Sequence, residues 1–355
     1  LDSIVDKQYK MKSKISISPV LALAIVLMCN PLNRANGSYV KQPNRSADNL
    51  IERYAEQQTS RARLKEDDLN IFSVTTVGDN KRKEAFVSLS DLYQDTLAMP
   101  AKYMIDPKSI SFDELKFFEL DPTSRKRLLT GTNIAEEDTM FMYDYQSGDF
   151  AKIPVKELKA VAHLTPYASE GEEISPWDYM IGFQVENAVL NKSKERYYSN
   201  VLACIGKQNP FVQAKLQLIE WEKIEERDFP KNSLKEEQSH VHDKTNSYYQ
   251  FKSDTVTYFI RDVFVENRLE IRYFIAVKGK NILVEKIFRE SEGTSLAPLN
   301  FADAVEAGGE QWAGYLFKDK PAVVFGFEYH SFGCASIMYV DKTYGEVPIN
   351  CDNRH

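Results

Sequence analysis

The chain has 355 residues, 43% hydrophobic and 27% charged, with 15 Gly, 14 Pro, 4 Cys and a formal net charge of −7. Such a composition excludes a disordered chain, a collagen and a disulfide-dense miniprotein. The length suffices for about two domains of roughly 100–200 residues each, and the acidic balance argues against nucleic acid or anionic lipid as partners.

In chain order, Lys12 and Lys14 precede an apolar run over residues 20–29, which Asn30, Pro31 and Asn33 end and Ala35-Asn36-Gly37 follows. This is the layout of a secretory signal peptide, and the run is short of the roughly 20 residues that a spanning helix requires. With Met11 as the start, residues 1–37 read as upstream residues plus signal peptide. Cleavage is expected after Gly37, and the product is expected to be periplasmic or secreted, with no membrane span. Losing five basic and two acidic residues takes the net charge from −7 to −10.

Residues 38–67 form an N-terminal segment in which Ser46 is placed to cap an amphipathic helix with Leu50, Ile51, Tyr54 and Ala55 on one face. A mixed α+β domain is expected over 68–230. Its strands fall at 71–77 and 85–89, its helices near 92–99 and 112–120, and a hairpin joins 139–145 to 150–153 through Gln146-Ser147-Gly148-Asp149. Apolar and polar residues alternate over 212–218, the period of a half-buried strand.

Residues 231–250 are polar and read as a linker or loop. A β-rich C-terminal domain, 251–355, follows. Runs 256–265, 269–277 and 282–288 are separated by Glu266-Asn267-Arg268 and Lys278-Gly279-Lys280-Asn281, the pattern of a three-stranded antiparallel meander. Asn300 is expected to cap a helix directed through Ala304 toward Trp312 and Phe317, and Pro321 opens a C-terminal hairpin. The fold class is therefore α+β: β-rich, with an antiparallel meander, a C-terminal hairpin, short helices and an N-terminal amphipathic helix.

The strong chemical motifs are missing: no Gly-rich phosphate loop, dinucleotide fingerprint, Gly-x-Ser-x-Gly elbow, His-Glu-x-x-His or paired Cys-x-x-Cys occurs. No cofactor and no metal are expected. His240-Val241-His242-Asp243 offers metal-ligand types, but in a polar segment with no apolar framework to hold them. His163 reads as a satisfied structural histidine.

The C-terminus gathers His330, Cys334, Cys351 and His355. A hairpin turning at Lys342-Thr343 places Cys334 opposite Cys351 and His330 opposite His355. In an exported protein two cysteines so opposed read as a disulfide, with Cys204 left as a buried thiol. A Cys2His2 metal site is resisted by the spacing, because four residues of strand separate each His from its Cys by roughly 13 Å. A third reading makes Cys334, after the flexible Gly333, a nucleophile, with His355 or His330 as base and Asp352 or Asn353 as orienter.

For that third reading, the run from Gly333-Cys334 to Asp341, then Gly345 and His355, resembles glutamine deamidases of the chemotaxis-receptor and cytotoxic-necrotizing-factor type. The resemblance implies that Cys334 is the nucleophile and His355 its general base, acting on a carboxamide through a thioester. The sequence thus supports first a binding or structural protein, with a protein or small-molecule partner and no nucleic acid. The alternative is a Cys-His amidohydrolase or deamidase.

Overall fold

The computed structural model describes residues 69–78, 83–93, 110–185, 200–231, 244–253, 255–302 and 310–353. The expected signal peptide, the N-terminal amphipathic helix, His240, His242 and Asp243, and His355 lie outside them. In chain order the first elements are β1 (Ile71–Ser73), β2 (Thr75–Gly78), β3 (Lys83–Ser88), helix α1 (Phe112–Leu115), β4 (Phe117–Glu119), helix α2 (Pro122–Gly131), β5 (Thr139–Asp144), β6 (Phe150–Pro154), β7 (Lys159–Leu164), β8 (Tyr179–Val185) and β9 (Val201–Gly206). There follow β10 (Leu216–Leu218), β11 (Glu222–Ile224), β12 (Lys244–Lys252), β13 (Thr257–Val265), β14 (Arg268–Lys278), β15 (Asn281–Arg289), β16 (Thr294–Leu296), β17 (Trp312–Gly314), β18 (Val323–Phe325), β19 (Glu328–His330), β20 (Ser336–Tyr339) and β21 (Val347–Asn350).

A nine-stranded sheet in the order β10-β17-β18-β20-β21-β1-β9-β5-β6 forms the centre. It takes strands from both sides of the polar segment 231–250. A five-stranded sheet, β2-β3-β8-β7-β4, a second one, β11-β12-β13-β14-β15, and the pair β16-β19 complete the fold. The β1–β21 pairing is parallel, Ile71 beside Ile349 and Phe72 beside Asn350, whereas β1 runs antiparallel to β9.

Register decides which side chains share a face, because alternate residues of a strand point to opposite sides. Phe72 pairs with Asn350, Pro348 with Ser336, Met338 with Val324 and Val324 with Ala313, so these residues lie on one face of the large sheet. At one end of that face Phe72, Met142 and Ala203 pack with Ala85, Val87 and Phe183 of the first five-stranded sheet. At the other end Ala313, Val324 and Met338 pack under Tyr258, Ile260 and Phe274 of the meander. The opposite face carries Ile71, Phe141, Leu202 and Cys204, covered by Phe211 and Phe317.

The meander is the part of the fold that reads most directly from its residues. Glu266 and Asn267 both adopt positive φ, 51° and 65°, the conformation that a two-residue turn needs to match the twist of its strands. Across β13 and β14, Arg272 faces Asp262. Its Nε and Nη2 donate to the Asp262 carboxylate at 2.7 and 2.8 Å, and Nη1 donates to the Ala297 carbonyl at 2.6 Å.

Four expected elements differ. The helix read over 112–120 stops at Leu115, held at its start by a capping box between Ser111 and Glu114, and the chain continues as β4. The strand read over 212–218 is limited to Leu216–Leu218, because Ala214 takes a φ of 53° and turns the chain. Where the helix is expected to reach Trp312 and Phe317, Trp312–Gly314 is a strand laddered to β10 and β18, and residues 303–309, with Ala304, lie outside the described ones. Asn300 spends its side chain not on a helix cap but on the Ile219 and Gln311 carbonyls, at 2.9 and 3.0 Å. Finally, Lys244–Ser247, inside the polar segment, begins β12, whose Tyr248 and Tyr249 are buried and whose backbone pairs with β11 and β13.

Candidate functional site

The C-terminal hairpin forms, with Ser336 opposite Pro348 and Ile337 opposite Val347, one residue away from the expected register. Just beyond this ladder Cys334 and Cys351 are joined in a disulfide, with Cα atoms 5.7 Å apart. The residues that follow are fastened on both sides. Asn353 Oδ1 accepts from the Gly333 N–H at 2.7 Å, and the Asn353 N–H donates to Asp91 Oδ1 at 3.1 Å. Ser88 Oγ donates to Asp352 Oδ2 at 2.8 Å.

Asp352 and Asn353, read from sequence as orienters of a histidine, thus bind β3 and its following turn and the neighbouring strand end. Asp91 also lies 3.4 Å from Cys334 Sγ. Asp91, Cys334 and Cys351 come within 4.8 Å of one another, but sulfurs bonded to each other present neither a nucleophilic thiolate nor a pair of metal ligands. Cys204 is buried in β9, where burial pushes its thiol up to about 12.

The expected partner of His330, His355, lies outside the described residues. His330 itself belongs to β19 and pairs with Thr294 of β16, whose hydroxyl is 3.4 Å from His330 Nδ1. The ring is exposed, yet it lines a cleft of about 270 Å³ that also reaches Cys351. Here the ends of β1, β5, β18 and β21 meet the beginnings of β9, β17 and β20 at one end of the large sheet, with Lys286 and Phe288 of β15 alongside. Gly326 makes this end possible: its φ is +90°, and a Cβ there would stand 1.9 Å from the Glu310 carbonyl oxygen.

The charge of the cleft follows from its pairs. Lys286 is bound to Glu346. Burial raises the Glu346 carboxyl, but hydrogen bonds from Lys286 and Ser336 outweigh it and hold the group below the usual carboxylate range. The Tyr145 phenol is pushed up by burial and then by the charges of Glu310 and Asp144. Tyr329 is raised by burial and by Glu310, to which it is hydrogen-bonded. With Lys286 compensated, Glu310 and Glu328 leave the cleft negative, against aromatic walls of Phe288, Phe325 and Phe327.

His163 differs from its expected role as a satisfied histidine. Its ring packs edge-on to Phe86, centroids 5.2 Å apart, and against Phe117 at 4.9 Å. Nε2 is buried and has no hydrogen-bond partner among the described residues. Burial lowers its pKa to about 4, while an unfolded imidazole titrates near 6.5. The unfolded chain therefore takes up a proton that the folded chain refuses, and stability falls as the pH drops from about 6.5 to about 4. Replacing His163 by Phe is expected to flatten this part of the curve, by no more than about 3 kcal/mol. Urea midpoints at a series of pH values measure it, with Glu84 and Lys116, which line the same recess, as the neighbouring charges.

Among the described residues no helix is long and apolar enough to cross a membrane. Compared with known proteins, the chain matches no family model, no curated protein and no solved structure.

Proposed function

We propose that the protein is exported and works by binding, with the cleft at the bridged end of the nine-stranded sheet as its ligand site. The observation that carries this reading is the Cys334–Cys351 disulfide, which occupies the sulfur that the enzymatic reading needs as a thiolate. The setting supports it as well. Concave recesses with aromatic walls and a few convergent polar groups are the usual form of a small-molecule site. Two carboxylates with no compensating cation beside them among the described residues, set among aromatic rings, suit a small organic cation. A disulfide suits an oxidising compartment, in keeping with cleavage after Gly37.

Titration with choline and with its uncharged isostere 3,3-dimethylbutanol tests the site. Choline is expected to bind by calorimetry and the isostere to bind at least about tenfold more weakly, with the difference lost in the Glu310→Gln, Glu328→Gln double variant. Thiol alkylation followed by peptide mapping of the exported protein tests the rest. A bridged Cys334 is expected in a chain that starts at Ser38. A free Cys334 that alkylates rapidly near neutral pH, in a protein that releases ammonia from glutamine side chains, would establish the deamidase instead.

A further inference from the structure

Three side chains of metal-ligating type converge at the end of the C-terminal hairpin, and the disulfide uses only two of them. Asp91, in the turn after β3, and Cys334 and Cys351, on either side of the β20–β21 ladder, each bring one ligand atom to within 4.8 Å of the others. All three residues are half-buried. Asp91 is held in one orientation: its Oδ1 accepts from the Asn353 N–H at 3.1 Å, and its Oδ2 lies 3.4 Å from Cys334 Sγ. A bridged sulfur has no proton to donate, so in the disulfide this carboxylate oxygen gains no hydrogen bond from that neighbour.

We infer that the reduced hairpin binds a zinc ion through the Cys334 and Cys351 thiolates and the Asp91 carboxylate, with the fourth position open. A dithiol reductant opens the bridge by passing two electrons and two protons to the sulfurs, itself becoming a disulfide, and the ion then displaces both protons. Thiolate and carboxylate are ordinary zinc ligands, and three from the protein leave one corner of the tetrahedron free. Bonds of about 2.3 Å to sulfur and about 2.0–2.2 Å to oxygen, at a tetrahedral angle, set S and O roughly 3.5 Å apart, close to the separation of Cys334 Sγ from Asp91 Oδ2. The same bonds set two sulfurs roughly 3.8 Å apart, within reach of side-chain rotation from Cα atoms 5.7 Å apart. The contacts that hold the three residues together do not involve the sulfurs. Asn353 ties Gly333 to Asp91, and Ser88 holds Asp352. Asn353 thereby orients the carboxylate, as the outer partners of metal ligands do. Two thiolates and a carboxylate this close repel one another, and a divalent cation among them turns the repulsion into attraction.

Cobalt titration of the full chain, reduced with a phosphine under argon, tests the inference. The reduced chain is expected to show thiolate-to-cobalt charge transfer and the visible bands of tetrahedral cobalt, saturating at one ion per chain and bleached by zinc. The bridged chain, which keeps every other candidate ligand, is expected to show neither. Asp91→Asn is expected to weaken binding at least about tenfold, the lower end of the loss when even a residue that only orients a ligand is removed. The Glu310→Gln, Glu328→Gln double variant, which lacks the carboxylates of the cleft, is expected to bind cobalt unchanged. In the unaltered reduced chain, zinc is expected to shield Cys334 and Cys351 from alkylation and to leave the rate at Cys204 as it was, a readout that does not depend on the variants folding. No cobalt bands in the reduced chain, equal binding by reduced and bridged chains, Asp91→Asn as tight as the unaltered chain, unshielded Cys334 and Cys351, or binding lost with Glu310 and Glu328 overturns the inference.

Discussion

Arg272→Met is expected to lower the unfolding free energy by about 3–5 kcal/mol. The guanidinium is 1% exposed and the Asp262 carboxylate 4%, so the variant leaves a buried carboxylate without a counter-charge and the Ala297 carbonyl without its donor. Removing one partner of such a pair costs far more than the pair itself contributes, because the surviving charge remains out of water. The double variant Asp262→Leu, Arg272→Met is therefore expected to regain most of the loss. Urea midpoints of the three proteins measure it. A single variant as stable as the unaltered chain would show that the pair does not hold β13 and β14 to the segment after β16.

Cys334→Ala is expected to cost about 3 kcal/mol, the chain-entropy value for a loop of this length, given the 17 residues that separate Cys334 from Cys351. Reductant is expected to lower the midpoint of the unaltered chain by the same amount and to leave Cys334→Ala unmoved. Cys204→Ala serves as the control, since the buried Cys204 is not part of the bridge. Coincident midpoints for oxidised and reduced protein would mean that the contacts of Asp352 and Asn353 alone secure the end of the chain.

What the sequence discloses depends on how local the deciding contacts are. The meander and the hairpin β5–β6 are legible because each strand pairs with its neighbour across a short polar turn. The disulfide is legible for the same reason, despite a register one residue off. Trp312–Gly314 is not, since one of its two partners, β10, lies far back in the chain, and a short apolar run before Gly suits helix and strand alike. Asp91 and Ser88 carry no signal in their own surroundings. They reach the bridge from 243 residues before Cys334 and 264 before Asp352. His163 shows its apolar setting in the sequence, but only tertiary packing decides whether its nitrogens find partners.

The parallel pair β1–β21 bears on the order in which the chain is made. Asn350 Nδ2 donates to the Ile71 carbonyl, a contact across 279 positions, and among the described residues β21 is the strand that links β20 to β1 in the large sheet. Until that strand has left the ribosome, β1 and β20 are open edges of two half-sheets, the kind of incomplete structure that cannot settle into its final packing. Neither half-sheet is closed by a neighbouring segment of its own, so joining them through β21 is the long-range step that sets how slowly the large sheet forms.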